Sequence, residues 1–231
     1  MLVILTHHFN DMVVETLERL NESAKDRYDV LVLFDKAKYE PHETVERLRN
    51  IRVKPTERVR TSYDHGGHSM YIHHFRAFRS EIEKYDHIWV FENDVYYPGS
   101  LTEFSDLYET DDHDLLVPEY GLRCPSWLWT KSLKGFRSVR NVGVLAVAMR
   151  LSPRLLARLV DTIDLRVFGY LEAVLPHICL ENGFSIQQFM PETCGIVTRS
   201  PDPLLELIVL DIRNGTRKYL RKKIYHPVKN Y

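Results

Sequence analysis

Two carboxylates stand two residues apart at the end of an apolar run in residues 87–99, HIWVFENDVYYPG, where residues 88–91 predict a buried strand. Glu92 and Asp94 follow this run directly, and residues i and i+2 of an extended segment share one face. Two adjacent carboxylates repel, and their burial is costly unless a cation compensates. Mg²⁺ or Mn²⁺ satisfies such a pair and keeps coordination sites for phosphate oxygens. The spacing therefore favours a divalent metal site over two solvated acids in a polar turn.

A basic segment late in the chain holds a second group of candidate ligands. Residues 213–229, RNGTRKYLRKKIYHPVK, contain seven Lys or Arg and no acid. A neutral imidazole such as that of His226 can complete the shell of a metal, and the ammonium of Lys229 can offset phosphate charge. The alternatives are a frayed, solvated tail, or a patch that meets an acidic or membrane surface. With Glu92 and Asp94 in the same chain, the ligand interpretation is favoured.

The composition is that of a globular protein. The chain has 231 residues, of which 44% are hydrophobic and 27% charged, and its net charge of −1 argues against general nucleic-acid binding. Cys124, Cys179 and Cys194 match neither a disulfide framework nor a zinc pattern, which predicts reduced thiols. No apolar run approaches the roughly 20 residues of a transmembrane helix, and no signal peptide is recognisable. We therefore expect a cytoplasmic protein without a transmembrane segment.

Apolar strand-like runs alternate with amphipathic helical segments along the chain. This alternation predicts an α/β fold with a central, mostly parallel sheet flanked by helices, in a single domain. Strands are expected at residues 2–5, 30–34, 51–53, 88–92, 115–117, 142–149 and 184–188. Helices are expected from Asn10, at 41–48, at 68–85, from a Ser152 cap through 163, and at 168–182 with Gly183 as the stop.

Polar residues follow three of the expected strands. Thr6, His7 and His8 end the first strand, Asp35 ends the second, and Asn93 lies between the two acids already described. In parallel α/β sheets, ligands bind beyond the carboxyl ends of the strands, so these side chains are expected to line one crevice. Arg76, on the helix predicted at 68–85, is a further candidate contact for an anion.

The segment YDHIWVFENDVYYPG resembles the acid-x-acid segment of nucleotide-sugar-dependent glycosyltransferases with the GT-A fold. It is especially similar to the small glycosyltransferase domains encoded by large algal (chlorella) viruses. The resemblance implies that Asp94 binds a divalent metal on the donor diphosphate, while Glu92 contacts ribose or a metal-bound water. It also implies that His226 binds the same metal and Lys229 the diphosphate. The chain departs from the common Asp-x-Asp pattern because a glutamate comes first.

The same resemblance assigns donor binding to one part of the chain and acceptor binding to the other. Residues 1–118 would bind the nucleotide sugar, with a UDP-sugar favoured, through the following candidates: Thr6, His7, Asp35, Arg76, Glu92, Asn93 and Lys229. Residues 119–231 would hold the acceptor and the basic tail. If the chain is viral, its place is the cytoplasm of the host.

A long segment with several aromatic residues is the candidate for binding a carbohydrate acceptor. Residues 119–136, EYGLRCPSWLWTKSLKGF, include Tyr120, Trp127 and Trp129. Aromatic rings cover the apolar C–H faces of sugars, and a loop of this length in a compact domain is usually functional. The alternative is that these rings belong to the core.

Glu172 is an acid within an otherwise apolar helical stretch, residues 168–176, FGYLEAVLP. Pro176 cannot donate a hydrogen bond to the carbonyl of Glu172, so a kink or a restart of the helix is expected there. In inverting GT-A enzymes, an acid from this later region deprotonates the acceptor hydroxyl, and Glu172 is similar to it in position and surroundings. The alternative is an acid that simply faces water.

These residues together predict a metal-dependent, inverting glycosyltransferase that uses a nucleoside diphosphate sugar and Mn²⁺ or Mg²⁺. A sugar-nucleotide pyrophosphorylase is one alternative, although it would require a Gly-rich basic loop after the first strand, where this chain has THHFND. A histidine-rich metallohydrolase and a non-catalytic sugar-binding module are the others. The spacing of the histidines fits no metal motif, and the intact acid pair counts against the binding module.

Overall fold

The computed structural model describes residues 1–6, 8–25, 27–35, 43–56, 69–77, 79–124, 126–162, 169–197, 208–212, 214 and 223–228. The strands are β1 (Leu2–Thr6), β2 (Val30–Asp35), β3 (Ile51–Thr56), β4 (Ile88–Glu92), β5 (Leu115–Val117), β6 (Glu119–Leu122), β7 (Val142–Leu145), β8 (Ala148–Leu151), β9 (Ile186–Gln188), β10 (Cys194–Val197) and β11 (Ile224–His226). The helices are α1 (Asp11–Ala24), α2 (Glu43–Glu46), α3 (Ser69–Ala77), α4 (Arg79–Ile82), α5 (Leu101–Asp106), α6 (Leu128–Lys131), α7 (Pro153–Asp161) and α8 (Leu171–Asn182), with a 3-10 turn at Pro191–Thr193. Residues 208–212 are also helical.

Within the described residues, seven strands form a central sheet in the order β3-β2-β1-β4-β8-β5-β9. All neighbouring pairs are parallel except those of β8, which is antiparallel to both β4 and β5. The strands at the centre are apolar and buried, as expected of strands covered on both faces. The predicted α/β class with a mostly parallel sheet is therefore confirmed.

The two faces of the sheet are covered by different helices. Successive residues of β1 alternate between the faces, so Leu2 and Ile4 pack with α1 and α5. Val3 and Leu5 face the opposite way, where α3, α7 and α8 pack. Helix α1 begins where the sequence predicts, because Asn10 Oδ1 accepts a hydrogen bond from Val13 N at 3.0 Å.

The predicted strand at 142–149 is wrong in one respect, because it consists of two strands. β7 leaves the central sheet and pairs with β6, whereas β8 lies between β4 and β5. Residues 142–151 are buried throughout, so the apolar pattern alone could not show where the chain changes partners. The predicted loop at 119–136 also contains regular structure, because it begins with strand β6, which pairs with β7, and later includes the short helix α6.

Two other predictions concern helices. The helix expected at 68–85 is represented by α3 and α4, which lie on either side of residue 78; residue 78 and residues 57–68 are outside the described ranges. Helix α8 ends at Gly183, which has the positive φ of 69° that favours glycine. Pro176 lies inside α8 without restarting it. None of the helices within the described ranges has the length and apolar character that a bilayer crossing requires.

The end of the described chain is a buried strand rather than a frayed tail. β11 pairs in parallel with β10, and Tyr225 pairs in antiparallel fashion with Tyr96. Residues 224–228 are all buried. A Cβ at Gly195 of β10 would lie 2.3 Å from the ring of Tyr225, so the absence of a side chain at Gly195 permits this packing.

Candidate active site

Glu92, Asp94 and His226 form a compact group at the carboxyl end of β4. One ligand atom from each lies within 4.8 Å of the others. His226 Nε2 is 3.1 Å from Asp94 Oδ1 and 3.5 Å from Glu92 Oε2. The side chain of His226 is 6% exposed, that of Asp94 13% and that of Glu92 30%. The structure thus brings together all three residues that the sequence proposed as metal ligands.

Backbone hydrogen bonds hold this group from three directions. Glu92 N donates to Val147 O at 2.8 Å, which ties the end of β4 to the turn between β7 and β8. Tyr96 and Tyr225 exchange two N–H···O bonds of 2.9 Å. Val228 N donates to Asp94 O at 3.0 Å. His226 is therefore placed beside the acids by the pairing of its own strand, and not by a flexible tail.

The three side chains fit one divalent ion. Ligand atoms about 2.1 Å from an octahedral ion lie roughly 3 Å apart when adjacent and roughly 4.2 Å apart when opposite. The two distances from His226 Nε2, 3.1 Å to Asp94 and 3.5 Å to Glu92, lie in that range. The set consists of two carboxylates and one imidazole, so it offers oxygen ligands that Mg²⁺ and Mn²⁺ accept and a nitrogen that a transition metal accepts more readily.

The electrostatics of the group favour a positive charge at its centre. Burial by itself lowers the pKa of His226, but the hydrogen bond and charge of Asp94, together with those of Glu92, outweigh burial and raise the pKa to about 9. An imidazolium is thus stable between the two carboxylates. A metal ion bound there would replace the proton of His226, since a ligating imidazole is neutral.

The residues at the end of β1 have unequal roles. Thr6 is 1% exposed, and its hydroxyl is occupied by the backbone of His8, from whose N–H it accepts a bond of 3.2 Å. The Thr6 hydroxyl therefore contacts the backbone of the turn that follows β1, and donor binding by Thr6 stays a prediction. His7 lies outside the described residues. His8 Nε2 is 3.1 Å from Asn93 Nδ2, which links the end of β1 to the residue between the two acids.

The remaining donor-side candidates are on β2, on α3 and beyond the described end of the chain. Asp35 is buried at the end of β2, two strands from β4 in the sheet. Arg76 is exposed on α3, which packs against β2, β3 and α7. Lys229 lies outside the described residues and directly follows Val228.

A cluster of aromatic side chains lies on the other part of the chain. The rings of Trp127 and Trp129 are 5.3 Å apart, and Trp129 stacks on Tyr170 at 5.2 Å with an interplanar angle of 23°. Both tryptophans are half-buried and pack against the core, and acceptor binding by these rings stays a prediction. Tyr120 is half-buried on β6, opposite Val144.

Glu172 lies in the first turn of α8, two residues after Tyr170, and is 9% exposed. Its Oε2 is buried and has no hydrogen-bond partner among the described residues. An acid that simply faces water is therefore excluded. An unpartnered buried oxygen is costly, and no hydrogen bond within the described residues accounts for this one. Helix α8 packs on β7, which leads to the Val147 carbonyl that binds Glu92 N.

Two residues of the site were missed by the sequence analysis. His8 was noted only as part of a polar strand ending, and Tyr170 was not singled out. Tyr170 is held beside Trp129 because its N–H donates to Ser132 Oγ at 3.1 Å. No spacing in the sequence connects residues 129, 132 and 170, so this contact follows only from the fold.

Comparisons with known proteins give matches among solved structures only. No protein-family model matches the chain, and no curated protein matches it. The apo structure of the bifunctional glycosyltransferase WbbM matches with a TM-score of 0.51 and 14% identity, over 99% of this chain and 45% of that chain. This chain therefore spans less than half the length of WbbM.

Two other structures match less closely. Mouse xyloside xylosyltransferase 1 has a TM-score of 0.47 and 13% identity, over 97% of this chain and 96% of that chain. A glucose-1-phosphate thymidylyltransferase of Bacillus anthracis in complex with sucrose has 0.46 and 10%, over 82% and 86%. At such identities the similarity to WbbM shows the fold alone. That fold is the GT-A-like α/β fold that the sequence predicts.

Proposed function

We propose that this chain is a metal-dependent glycosyltransferase that moves a sugar from a nucleoside diphosphate to a carbohydrate hydroxyl. The observation that carries the proposal is the group of Glu92, Asp94 and His226 at the carboxyl end of a central strand in a GT-A-like sheet. A divalent ion bound there would supply a Lewis acid for the departing diphosphate.

The donor would lie over the ends of β1, β2 and β4, within residues 1–118. Asp94 and His226 would hold the metal most directly, because their ligand atoms are closest and least exposed. Glu92, more exposed, could bind either the metal or a metal-bound water. Asn93 and His8 present an amide and an imidazole beside the metal group and would orient the nucleotide. Asp35, Thr6, His7, Arg76 and Lys229 remain proposals for donor binding, and a UDP-sugar is the favoured donor.

The acceptor would lie on the part formed by residues 119–231, against the rings of Trp127, Trp129 and Tyr170, with Tyr120 nearby. Glu172 would then take the proton of the acceptor hydroxyl as its oxygen attacks the anomeric carbon. A new C–O bond forms on one face of that carbon while the bond to the diphosphate breaks on the other. The configuration at the anomeric carbon would therefore invert.

The proposal is tested by incubating the protein with a panel of nucleotide sugars, with Mn²⁺, with Mg²⁺ and with a chelator. We expect metal-dependent release of nucleoside diphosphate, with Asp94→Asn losing more activity than Glu92→Gln. Asp112→Asn removes an exposed carboxylate elsewhere and is the matched control. Full activity in chelator would refute metal dependence, and release of pyrophosphate from a nucleoside triphosphate would favour the pyrophosphorylase alternative.

A further inference from the structure

Positive charge is concentrated in residues 120–160, on exposed cations to which the proposed reaction assigns no role. No Asp or Glu occurs between Glu119 and Asp161. Within this interval, Lys131, Lys134, Arg137 and Arg140 are all exposed. No ion pair joins Lys131, Arg137 or Arg140 to any carboxylate in the portion of the chain that the structure describes.

Two apolar side chains in the same interval are also exposed, and α6, which ends at Lys131, packs on α8, to which Arg137 and Arg140 are also bonded. Leu122 is 85% exposed, and Val139 is 50% exposed. Arg123 N donates to Asn141 O at 2.7 Å, which places Leu122 at the same end of the β6–β7 pair as residues 139–141. This region is the "basic face" and consists of Leu122, Lys131, Lys134, Arg137, Val139 and Arg140.

The basic face is held against the body of the protein by two hydrogen bonds to α8. Arg140 N donates to His177 Nε2 at 2.9 Å, and Arg137 N donates to Glu181 Oε1 at 2.6 Å. His177 is itself fixed, because Nδ1 donates to Ala173 O at 2.6 Å. The cations therefore project from a backbone that is bound at two points. The carboxylates nearest in the chain are occupied or buried, since Glu181 accepts from Arg137 N, Glu119 pairs with Arg123, and Glu172 is buried.

We propose that the basic face docks the protein on an anionic lipid surface. Exposed aliphatic side chains among Lys and Arg match a bilayer interface, where apolar groups enter the acyl boundary and cations remain among the headgroups. Lys and Arg near an anionic membrane each contribute about 1 kcal/mol, which is about fivefold in affinity. The net charge of the chain is −1, so attraction to an anionic surface would depend on which part of the protein faces that surface.

The test is sedimentation with vesicles of phosphatidylcholine, with or without phosphatidylserine, in the absence of metal and nucleotide sugar. We expect binding only to vesicles that contain phosphatidylserine, and weaker binding at higher salt because these charges are exposed. The triple variant Lys131→Gln, Arg137→Gln, Arg140→Gln should lose about 100-fold in affinity, and Leu122→Ser should also weaken binding. Removal of three exposed cations elsewhere, Arg47→Gln, Arg49→Gln and Lys84→Gln, is the matched control, and Leu107→Ser is the control for Leu122→Ser.

Equal binding to both kinds of vesicle, equal losses in the control variants, or no binding at all would overturn the proposal. Binding of the basic face to soluble polyphosphate but not to vesicles would also overturn it, since the occupant would then be a soluble anion. Because no donor, acceptor or metal is present in this assay, its failure is distinguishable from failure of the proposed function. Transfer to a soluble acceptor should be unchanged in the double variant Arg137→Gln, Arg140→Gln, which leaves residues 119–136 intact.

Discussion

At the scale of single residues, His226 distinguishes the candidate metal group from a simple pair of acids. An imidazole 3.1 Å from Asp94 adds a nitrogen ligand to two carboxylates. Mg²⁺ prefers oxygen ligands and retains water, whereas a transition ion such as Mn²⁺ accepts imidazole more readily.

We therefore expect Mn²⁺ to bind more tightly than Mg²⁺, and His226→Ala to weaken Mn²⁺ binding more than Mg²⁺ binding. Isothermal titration calorimetry of both ions with wild-type protein and variant measures this. His113→Ala, which removes a half-buried histidine beside Asp111, is the control. No loss for either ion would mean that His226 is not a ligand, and equal losses would mean that its nitrogen does not favour Mn²⁺ over Mg²⁺.

Glu172 is the second residue whose environment demands an explanation, because its Oε2 is buried without a hydrogen bond from the described residues. If it is the base, Glu172→Gln should reduce transfer by roughly 10²–10⁴-fold, which is the usual contribution of a positioned base. Metal and donor affinity should be unchanged, because neither depends on the proton acceptor. The measurement is a comparison of transfer rate with nucleotide affinity.

The control for Glu172→Gln is Glu181→Gln, which changes an exposed acid on the same helix. A Glu172→Gln protein with normal transfer would move the base elsewhere. Retention of configuration, determined by NMR of the product, would exclude a base-assisted single displacement even if the variant were inactive.

At the scale of elements, the pairing of β10 with β11 decides where His226 lies. A Cβ at residue 195 would meet Tyr225 at 2.3 Å, and Tyr225 precedes His226. We expect Gly195→Ala to lower the free energy of unfolding by about 1–3 kcal/mol, as overpacking does, and to weaken Mn²⁺ binding. Gly121→Ala, with no atom within 4 Å of its Cβ, should change stability by less than about 0.5 kcal/mol. Chemical denaturation and calorimetry provide the measurements, and equal effects of the two substitutions would contradict this view of β11.

Asp114 directly precedes β5 and connects it to the start of α7 and to the residue before β9. Its carboxylate accepts bonds from Ser152 Oγ at 2.6 Å, Arg154 Nη2 at 2.6 Å and Ser185 N at 3.0 Å. Burial alone would raise the pKa of Asp114, but the hydrogen bonds from Arg154, Ser152 and Ser185, and the charge of Arg154, hold the pKa well below its usual value of 3.8.

A depressed pKa in the folded state gives stability that is fully present above the unfolded pKa and is lost as pH falls through the folded pKa. Asp114→Asn should therefore lower the free energy of unfolding by about 2–3 kcal/mol at neutral pH. The difference from wild type should shrink as pH falls below about 4. Urea denaturation over this pH range checks it, with the exposed Asp112→Asn as control; a constant difference would exclude charge as the cause.

At the scale of the whole molecule, the sequence was sufficient to predict the strands and the helix ends that depend on a local pattern of residues. Apolar runs such as residues 88–91 predict buried strands, Asn10 and Ser152 predict helix starts, and Gly183 predicts a stop. The acids at 92 and 94 were recognisable because a charged pair directly after a buried strand is unusual.

What the sequence could not show depends on pairing between distant segments. Residues 142–149 contain no polar side chain, so the change from β7 to β8 leaves no local mark. The stacking of Trp129 on Tyr170 and the contact of His8 with Asn93 arise from tertiary packing, which no spacing encodes. The partnership of His226 with Asp94 was expected only by resemblance, since nothing local in the basic segment indicates a strand that pairs beside Tyr96.

That long-range pairing has a consequence for how the protein reaches its native state. More than half of the chain separates Asp94 from His226, so the metal group forms only after a large loop has closed, and such contacts are slow to form. In a chain in which β11 has not yet paired with β10, Glu92 and Asp94 lack the imidazole of His226. Metal affinity is therefore a measure of complete folding. An ion that binds only the native chain stabilises it by about 2.7 kcal/mol when the free ion concentration is 100 times the dissociation constant. We expect Mn²⁺ to raise the melting temperature of wild-type protein, and to raise that of His226→Ala much less.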